Sequence, residues 1–343
     1  MKKIFLFGSL ALLMLFSSCS EKGKSLLPTV TGSAFDMLVV GSPKAWNDSA
    51  GRSLQEVFTA PIPCLPEAEA NFNVIFIPVT SFDHVVKPAR NIFFYEIDPN
   101  RYTKGSIHFS EDLWAHPQAV VKVTAPDQHT FIETVKENQT KILRFFTTAE
   151  EERALNYYKS YQNMNIEKQV QSLFGVGMIV PGNLDKSKVG KNFIWISNAN
   201  PDMTQNLLVY SRPYGSTRDF EVKRLLAVQD SFTRIYVPGP SRGSYIAFEP
   251  KVQPVSEVLD NDYSDYCVEV RGLWRCIGDV MGGPFVSRSY LSADHKNIIT
   301  SVAFIYGPGH DKRNVLRMLE ASAGSLRVKS AQSAPADSIP DKK

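Results

Sequence analysis

Ser241 lies in GPSRG (239–243), which fits the G-x-S-x-G spacing that presents a serine hydroxyl as a nucleophile. Acidic residues and His295 or His310 follow it in the order that a hydrolytic triad needs. The hydroxyl attacks an acyl carbon only where a histidine takes its proton, and the elbow that holds it requires strand, sharp turn and helix. SYIAFEP after Gly243 reads instead as a strand, and Pro240 falls inside the turn. The stretch therefore reads as a proline–glycine loop, with a hydrolase using Ser241 as the alternative. Metal chemistry finds less support. His84, His108, His116, His129, His295 and His310 never fall three or four residues apart, and no C-x-x-C occurs, so no metal set and no cofactor motif is offered. Asp260, Asp262 and Asp265 lack the glycine and distal glutamate of an EF-hand and read as a solvated acidic turn.

Two further stretches have the composition of sites. GPGHDKR (307–313) runs from a strand into a helix, so amides near Asp311 would meet an anion with Lys312 or Arg313 assisting. Capping of the helix by Asp311 itself is the simpler reading. RGLWRCIGDVMGGPFVSR (271–288) gathers glycines, a proline, Trp274 and Cys276. If the segment from Tyr266 to Cys276 is one straight strand, Tyr266, Val268, Val270 and Trp274 share a face. Cys267 and Cys276 then face opposite ways, about 30 Å apart at 3.3 Å per residue. If Arg271-Gly272 turns a hairpin instead, the two cysteines fall opposite each other and a disulfide becomes possible in an oxidising compartment. MGGPF reads as a hairpin connection, with Gly282 and Gly283 permitting positive φ and Pro284 unable to donate to a ladder. On this reading any role of the stretch is to present Trp274 at a strand edge. Cys64 is left over and reads as a small buried residue.

The elements that must position these residues are legible as a coarse pattern. AFDMLVVG reads as a strand, followed by a helix with Ser42 as N-cap and Pro43 first inside it. Strands follow at PIPCLPEAEANFNVIFIPV, RNIFFYEI, SIHFSEDLW and AVVKVTA, then a helix from Pro126 with Phe131, Val135, Ile142 and Phe146 on one stripe. Thr148 with Glu151 has capping-box spacing and opens a more polar helical stretch that ends near Gly175. The second half begins with strands at GVGMIVPG, KNFIWISN and QNLLVYSRP, and Ser216 with Asp219 cap a helix. A meander of strands runs from Tyr266, and a last helix starts near Asp311. VVKVTAPDQHTFIETV, LLVYSRPYGSTRDFEV and VAFIYGPGHDKRNVL each read strand, turn, helix, a weak internal echo. Strands that adjoin without helices between them predict an α+β fold: two mainly antiparallel sheets, helices packed on one face, joined by a helical connector.

The N-terminus reads MKKIFLFGSLALLMLFSSCS, two lysines before an apolar run from Ile4 to Phe16 that is too short to span a bilayer. Ser17 and Ser18 directly before Cys19 resemble a bacterial lipobox, with Phe16 where leucine is more usual. That resemblance implies cleavage after residue 18 and acylation of Cys19, several chains of which anchor a protein durably at about 0.8 kcal/mol per buried methylene. Ser20 in place of aspartate resembles outer-membrane sorting, and EKGK (21–24) lacks an acidic surface-export tag, so the body is expected to face the periplasm. Without Lys2 and Lys3, the 38 basic side chains fall to 36 against 35 acidic ones, which gives no footprint for nucleic acid and no polybasic membrane patch.

The lipobox, LPEAEANF (65–72), RNI (90–92), GLW (272–274) and MGGPF (281–285) together resemble a family of bacterial lipoproteins classed only as a domain of unknown function. Cys64 and Ala68 depart from a segment that is richer in Gly, Gln and Pro in that family. The resemblance covers nearly the whole mature chain and implies envelope location and a common fold, with no catalytic residues to carry over. The expected organisation is a signal (1–18), a lipidated tether (19–28), an α+β domain (29–147), a helical connector (148–175), a second α+β domain (176–328) and a disordered tail (329–343). The expected function is a non-catalytic binding or scaffolding component of the envelope, held to the membrane by its lipid and open to an envelope protein partner. Candidate binding residues are Trp274, Gly282, Gly283, Lys312 and Arg313. A groove rimmed by aromatics such as Trp114, Trp195 and Trp274 would favour binding, and a histidine backed by an acid at Ser241 would favour the hydrolase.

Overall fold

The computed structural model describes residues 27–328, so the expected signal, Cys19, most of the tether and the tail lie outside the described residues. The predicted first strand is β1 (Asp36–Gly41). The helix expected from Ser42 is two pieces, α1 (Pro43–Trp46) and α2 (Ser49–Phe58). Asp48 starts the second by accepting from the Ser49 amide at 2.7 Å. Gly51 makes the break possible, because a Cβ there would sit 1.8 Å from the Trp46 carbonyl oxygen. The chain continues through β2 (Asn73–Pro78), β3 (Asn91–Ile97), β4 (Ser106–Glu111) and β5 (Ala119–Ala125) into the 32-residue α3 (Gln128–Lys159).

These strands form one sheet in the order β2-β1-β3-β5-β4. Three of its pairings, β1 with β2, β1 with β3 and β3 with β5, are parallel, since crossovers connect those strands; β4 with β5 is antiparallel. On one face Met37, Val39, Phe93, Tyr95, Val121 and Val123 pack under α2 and α3. On the other, Leu38, Val40, Ile92 and Val120 are covered by Phe82 and Val86 of the β2–β3 connection and by Trp114 of the β4–β5 connection.

The second half comprises α4 (Met164–Phe174), β6 (Lys186–Gly190), β7 (Phe193–Ser197), β8 (Thr204–Pro213), α5 (Val222–Tyr236), β9 (Tyr245–Phe248) and β10 (Val255–Leu259). It ends with β11 (Cys267–Ile277), β12 (Gly282–Leu291), β13 (Asn297–Tyr306) and α6 (Arg313–Gly324). Its sheet runs β10-β11-β12-β13-β8-β7-β6, with β9 also on β11, and every pairing is antiparallel. Taken over both sheets the pairing is mainly antiparallel, and the chain is α+β.

Helices on one face describes the first sheet only. In the second, α4 and α6 cover one face through Ile166, Val170, Leu316 and Leu319, and α5 covers the other through Leu225 and Leu226. Two layers of helix allow the central strands β8, β11, β12 and β13 to be largely buried on both sides. Thr148 and Glu151 cap nothing, because they lie inside α3. Ser216 and Asp219 do form a capping box, on a single 3-10 turn (Thr217–Phe220) just before α5. The three echoed segments are each strand, turn and helix: β5 into α3, β8 into α5 and β13 into α6. Among the described residues no helix is long and apolar enough to cross a membrane.

Candidate functional site

β11 decides the first question about the RGLW stretch. It is one straight strand of 11 residues, paired with β12 along most of its length, so Arg271-Gly272 turns no hairpin. The period-two pattern holds: Val268, Val270 and Trp274 enter the cluster under α5, whereas Cys267 enters the one under α6. Cys276 joins Trp274 on the α5 side, and both thiols are free, so the possible disulfide is not formed. Burial pushes the Cys267 thiol up to about 12, which leaves it inert as a nucleophile.

MGGPF is not the hairpin connection either. The turn is formed by Gly278 to Met281, where Gly278 supplies the positive φ of 87°. Gly282 and Gly283 open β12 with no positive φ, and their purpose is closeness. A Cβ on Gly283 would lie 2.3 Å from the Ile305 carbonyl oxygen and 3.0 Å from the Trp274 indole nitrogen. The indole lies over this bare backbone and donates to the Ile305 carbonyl at 3.1 Å. Trp274 is therefore 3% exposed and packed edge-on against Phe304 at 5.7 Å, not displayed at a strand edge.

One flank of that indole nevertheless lines a cleft of about 370 Å³ at the end of the second sheet, within the usual range for ligand pockets. Its aromatic wall is Trp195 from β7, Trp274 from β11 and Phe304 with Tyr306 from β13, joined by Met281. The opposite wall is Val237 to Pro240 and Ile246. Gly239 brings this wall close, since a Cβ on it would meet the Cys276 sulfur at 2.3 Å. Polar groups gather at one end: Lys186, Asn198, Thr204 and Asn206, the last accepting from the Trp195 indole nitrogen at 2.9 Å. Each indole nitrogen is thus satisfied by the protein, which fixes both rings, with Trp195 the more exposed of the two. Trp114 belongs elsewhere, 5.1 Å from Phe82 on the first sheet.

Ser241 rims this region but assembles no triad. Its hydroxyl donates to Asp279 at 2.5 Å, no histidine is hydrogen-bonded to it, and β9 follows where an elbow needs a helix. His295 pairs with Asp265 at 2.7 Å on an exposed loop. Among the described residues no group of three His, Cys, Asp or Glu is placed to hold a metal ion.

Asp311 does not cap the last helix, whose N-cap is Lys312; the amides there meet a carboxylate from elsewhere in the chain. Glu69, from LPEAEANF, accepts the Lys312 and Arg313 amides at 2.7 and 2.9 Å, one on each carboxylate oxygen. Lys312 extends its ammonium to Glu67 at 2.7 Å, and Arg313 donates to the Ala70 carbonyl at 2.9 Å. Two short motifs from opposite halves therefore form a latch at the start of α6. Sequence spacing pointed to the amides and missed the acid, since about 240 residues separate them.

A second seam lies beside it and uses Arg271. Its guanidinium forks onto Glu320 of α6 at 2.8 and 2.9 Å and also reaches Glu269. Arg288 joins Glu269 at 2.7 Å to Glu151 of α3 at 3.1 Å. Desolvation alone would raise the Glu269 carboxyl, but the charges of Arg271 and Arg288 outweigh it and hold the group at about 2.

Two family models match the chain. Residues 30–159 match a domain of unknown function (DUF8532), and residues 163–325 match a second one (DUF4837). Both matches fit an uncharacterised family, and neither description names an activity. The boundary between them falls in the short link from α3 to α4. No curated protein matches the chain. A solved structure from Bacteroides thetaiotaomicron is similar at 14% identity over 46% of this chain and 46% of that one, with a TM-score of 0.21. The chain thus spans less than half of that structure, and a likeness at this level carries no argument.

Proposed function

We propose that the protein is a lipid-anchored, periplasm-facing component of the cell envelope that binds a ligand in the aromatic cleft of its second sheet and catalyses no reaction. The cleft carries this reading. Two fixed indoles, a phenyl and a phenol converge on one concavity, with an ammonium and two amides at one end. Such a surface suits a ligand with a flat apolar face and an edge that accepts hydrogen bonds. The partner of Ser241 supports the non-catalytic part, because an exposed carboxylate can orient the hydroxyl but the triad's histidine has no place in that pair. Anchorage rests on the lipobox and on Cys19, and outer-membrane placement on Ser20.

Two measurements test the reading separately. Replacing Cys19 with serine should release the protein from washed membranes and abolish its labelling by palmitate; retention of both would refute the anchor. A ring-fragment screen by saturation-transfer NMR on the detergent-solubilised chain should give competing hits. Those hits should weaken at least about tenfold in Trp195→Ala and vanish when Met281→Trp fills the cleft. Hits indifferent to both substitutions would place the ligand elsewhere.

A further inference from the structure

A second cavity, of about 410 Å³, opens between the two halves and is separate from the aromatic cleft. Arg90 before β3, Arg153 on α3 and Arg317 on α6 all line it, against a single carboxylate, Glu150. Phe35, Tyr157 and Met318 supply its apolar wall.

Glu150 is shared among four donors, two of them these arginines. Its Oε1 accepts from the Phe35 amide, Asn91 and Arg153 at 3.2, 2.7 and 3.2 Å, and its Oε2 from Arg90 at 2.7 Å. Arg317 is the least provided for: one terminal nitrogen donates to Asn71 at 3.1 Å, and the other stands 3.6 Å from Glu320, which already accepts the fork of Arg271. The Nε–H groups of Arg90, Arg153 and Arg317 are buried without an acceptor. The cavity wall itself carries three guanidinium groups against one carboxylate, an excess of positive charge.

The neighbouring seam shows that this fold can do otherwise. Burial opposes charge on Arg271 and Arg288 as well, yet their glutamates raise both above the ordinary arginine value. Burial wins at the cavity, where Arg153 falls to about 10 and Arg317 is lowered too. Arg271 and Arg288 each meet two glutamates within 3.1 Å, whereas Arg90 and Arg153 share Glu150 and Arg317 has only Glu320 at 3.6 Å.

The geometry points to a binding site for a small organic oxyanion, a carboxylate or phosphate held by Arg317, Arg153 and Arg90 with its apolar body against Phe35 and Met318. Guanidinium groups suit both anions because their paired N–H donors match two oxygens at once. Such a ligand touches both halves, so its binding stabilises their contact.

The full detergent-solubilised chain is titrated by thermal unfolding with phenyl phosphate, benzoate, inorganic phosphate and, at matched ionic strength, sodium chloride. Phenyl phosphate or benzoate should raise the midpoint saturably and more than inorganic phosphate, and chloride should not. Arg317→Gln should weaken the effect at least about tenfold, as expected for one charge-assisted hydrogen bond. Ala34→Phe fills the mouth without touching a charge and should do the same, deciding the matter alone if the Arg317 variant does not fold. Arg234→Gln, an exposed residue of α5, should bind as the parent does. Failure of both organic probes to saturate, an equal shift with chloride, or unaltered binding in Ala34→Phe would overturn the site.

Discussion

Glu69 offers the sharpest test of how the two halves are joined. Its carboxylate accepts the amides of Lys312, the N-cap of α6, and of Arg313, its first residue, at 2.7 and 2.9 Å, which are charge-assisted hydrogen bonds at the positive end of a helix. Glu69→Ala removes both acceptors and the negative charge. One such bond contributes about 1.5–3 kcal/mol and the dipole about 0.3–1 kcal/mol, while water can reach the half-buried site and recover part of the loss. The expected destabilisation is about 2–3 kcal/mol. Glu69→Gln keeps one oxygen as an acceptor and should cost about half as much. Glu67→Ala provides the contrast. Its contact with Lys312 is equally short, but Glu67 is 64% exposed, so its removal should cost less than about 1 kcal/mol. Urea unfolding followed by circular dichroism measures all three. An alanine variant within about 0.5 kcal/mol of the parent, or a Glu67 variant as damaging as the Glu69 one, would refute the latch.

Gly283→Ala forces a methyl group against the Ile305 carbonyl and the Trp274 indole, and should lower stability by about 1–3 kcal/mol in the same assay; unchanged stability would mean that the indole is not seated as described. Glu269 is depressed in the folded state from 4.5 to about 2, so its contribution is complete above about pH 4.5 and is lost as the pH falls toward 2. Urea midpoints taken from pH 7 to 2.5 should therefore decline below pH 4.5, and Glu269→Gln should be less stable at pH 7 and decline less across that window. Cys267 and Cys276 should stay reduced in protein purified without reductant, so alkylation after denaturation should label both; protection of the pair would restore the hairpin that β11 excludes.

Local pattern was legible where a residue's neighbours in sequence are its neighbours in space. The alternation along β11 placed Trp274 and Cys267 on opposite faces, and strand–turn–helix was readable at all three echoed segments. The reading failed where burial is by charge. The second half of α3 reads as a polar connector because few of its residues are apolar, yet Glu150 and Arg153 within it are 3% and 8% exposed and hydrogen-bond to each other and to Asn91. Hydrophobic periodicity has no signal for a helix face that buries ion pairs. It also failed where glycine serves closeness. Gly282 and Gly283 were credited with turn geometry, but only the arrival of Trp274 and β13 shows why no side chain fits. Of the candidate binding residues, Trp274 lines the cleft, Gly283 seats it, and Lys312 and Arg313 are committed to Glu67 and Glu69. Trp195 was named among possible groove aromatics, but its meeting with Trp274 depends on β7 and β11 sharing one sheet.

The seam between the halves has a consequence for how this chain can change over generations. Glu69 answers amides at residues 312 and 313, Glu151 answers Arg288, and Asn71 answers Arg317. A chimera that takes its first 160 residues from one parent and the remainder from another inherits every local fold signal intact. It matches only if both parents drew the same pairings, because each mismatch leaves a charge or an amide buried without its counterpart. The two matched segments can be spliced in the short link between α3 and α4, but they are obliged to evolve as one.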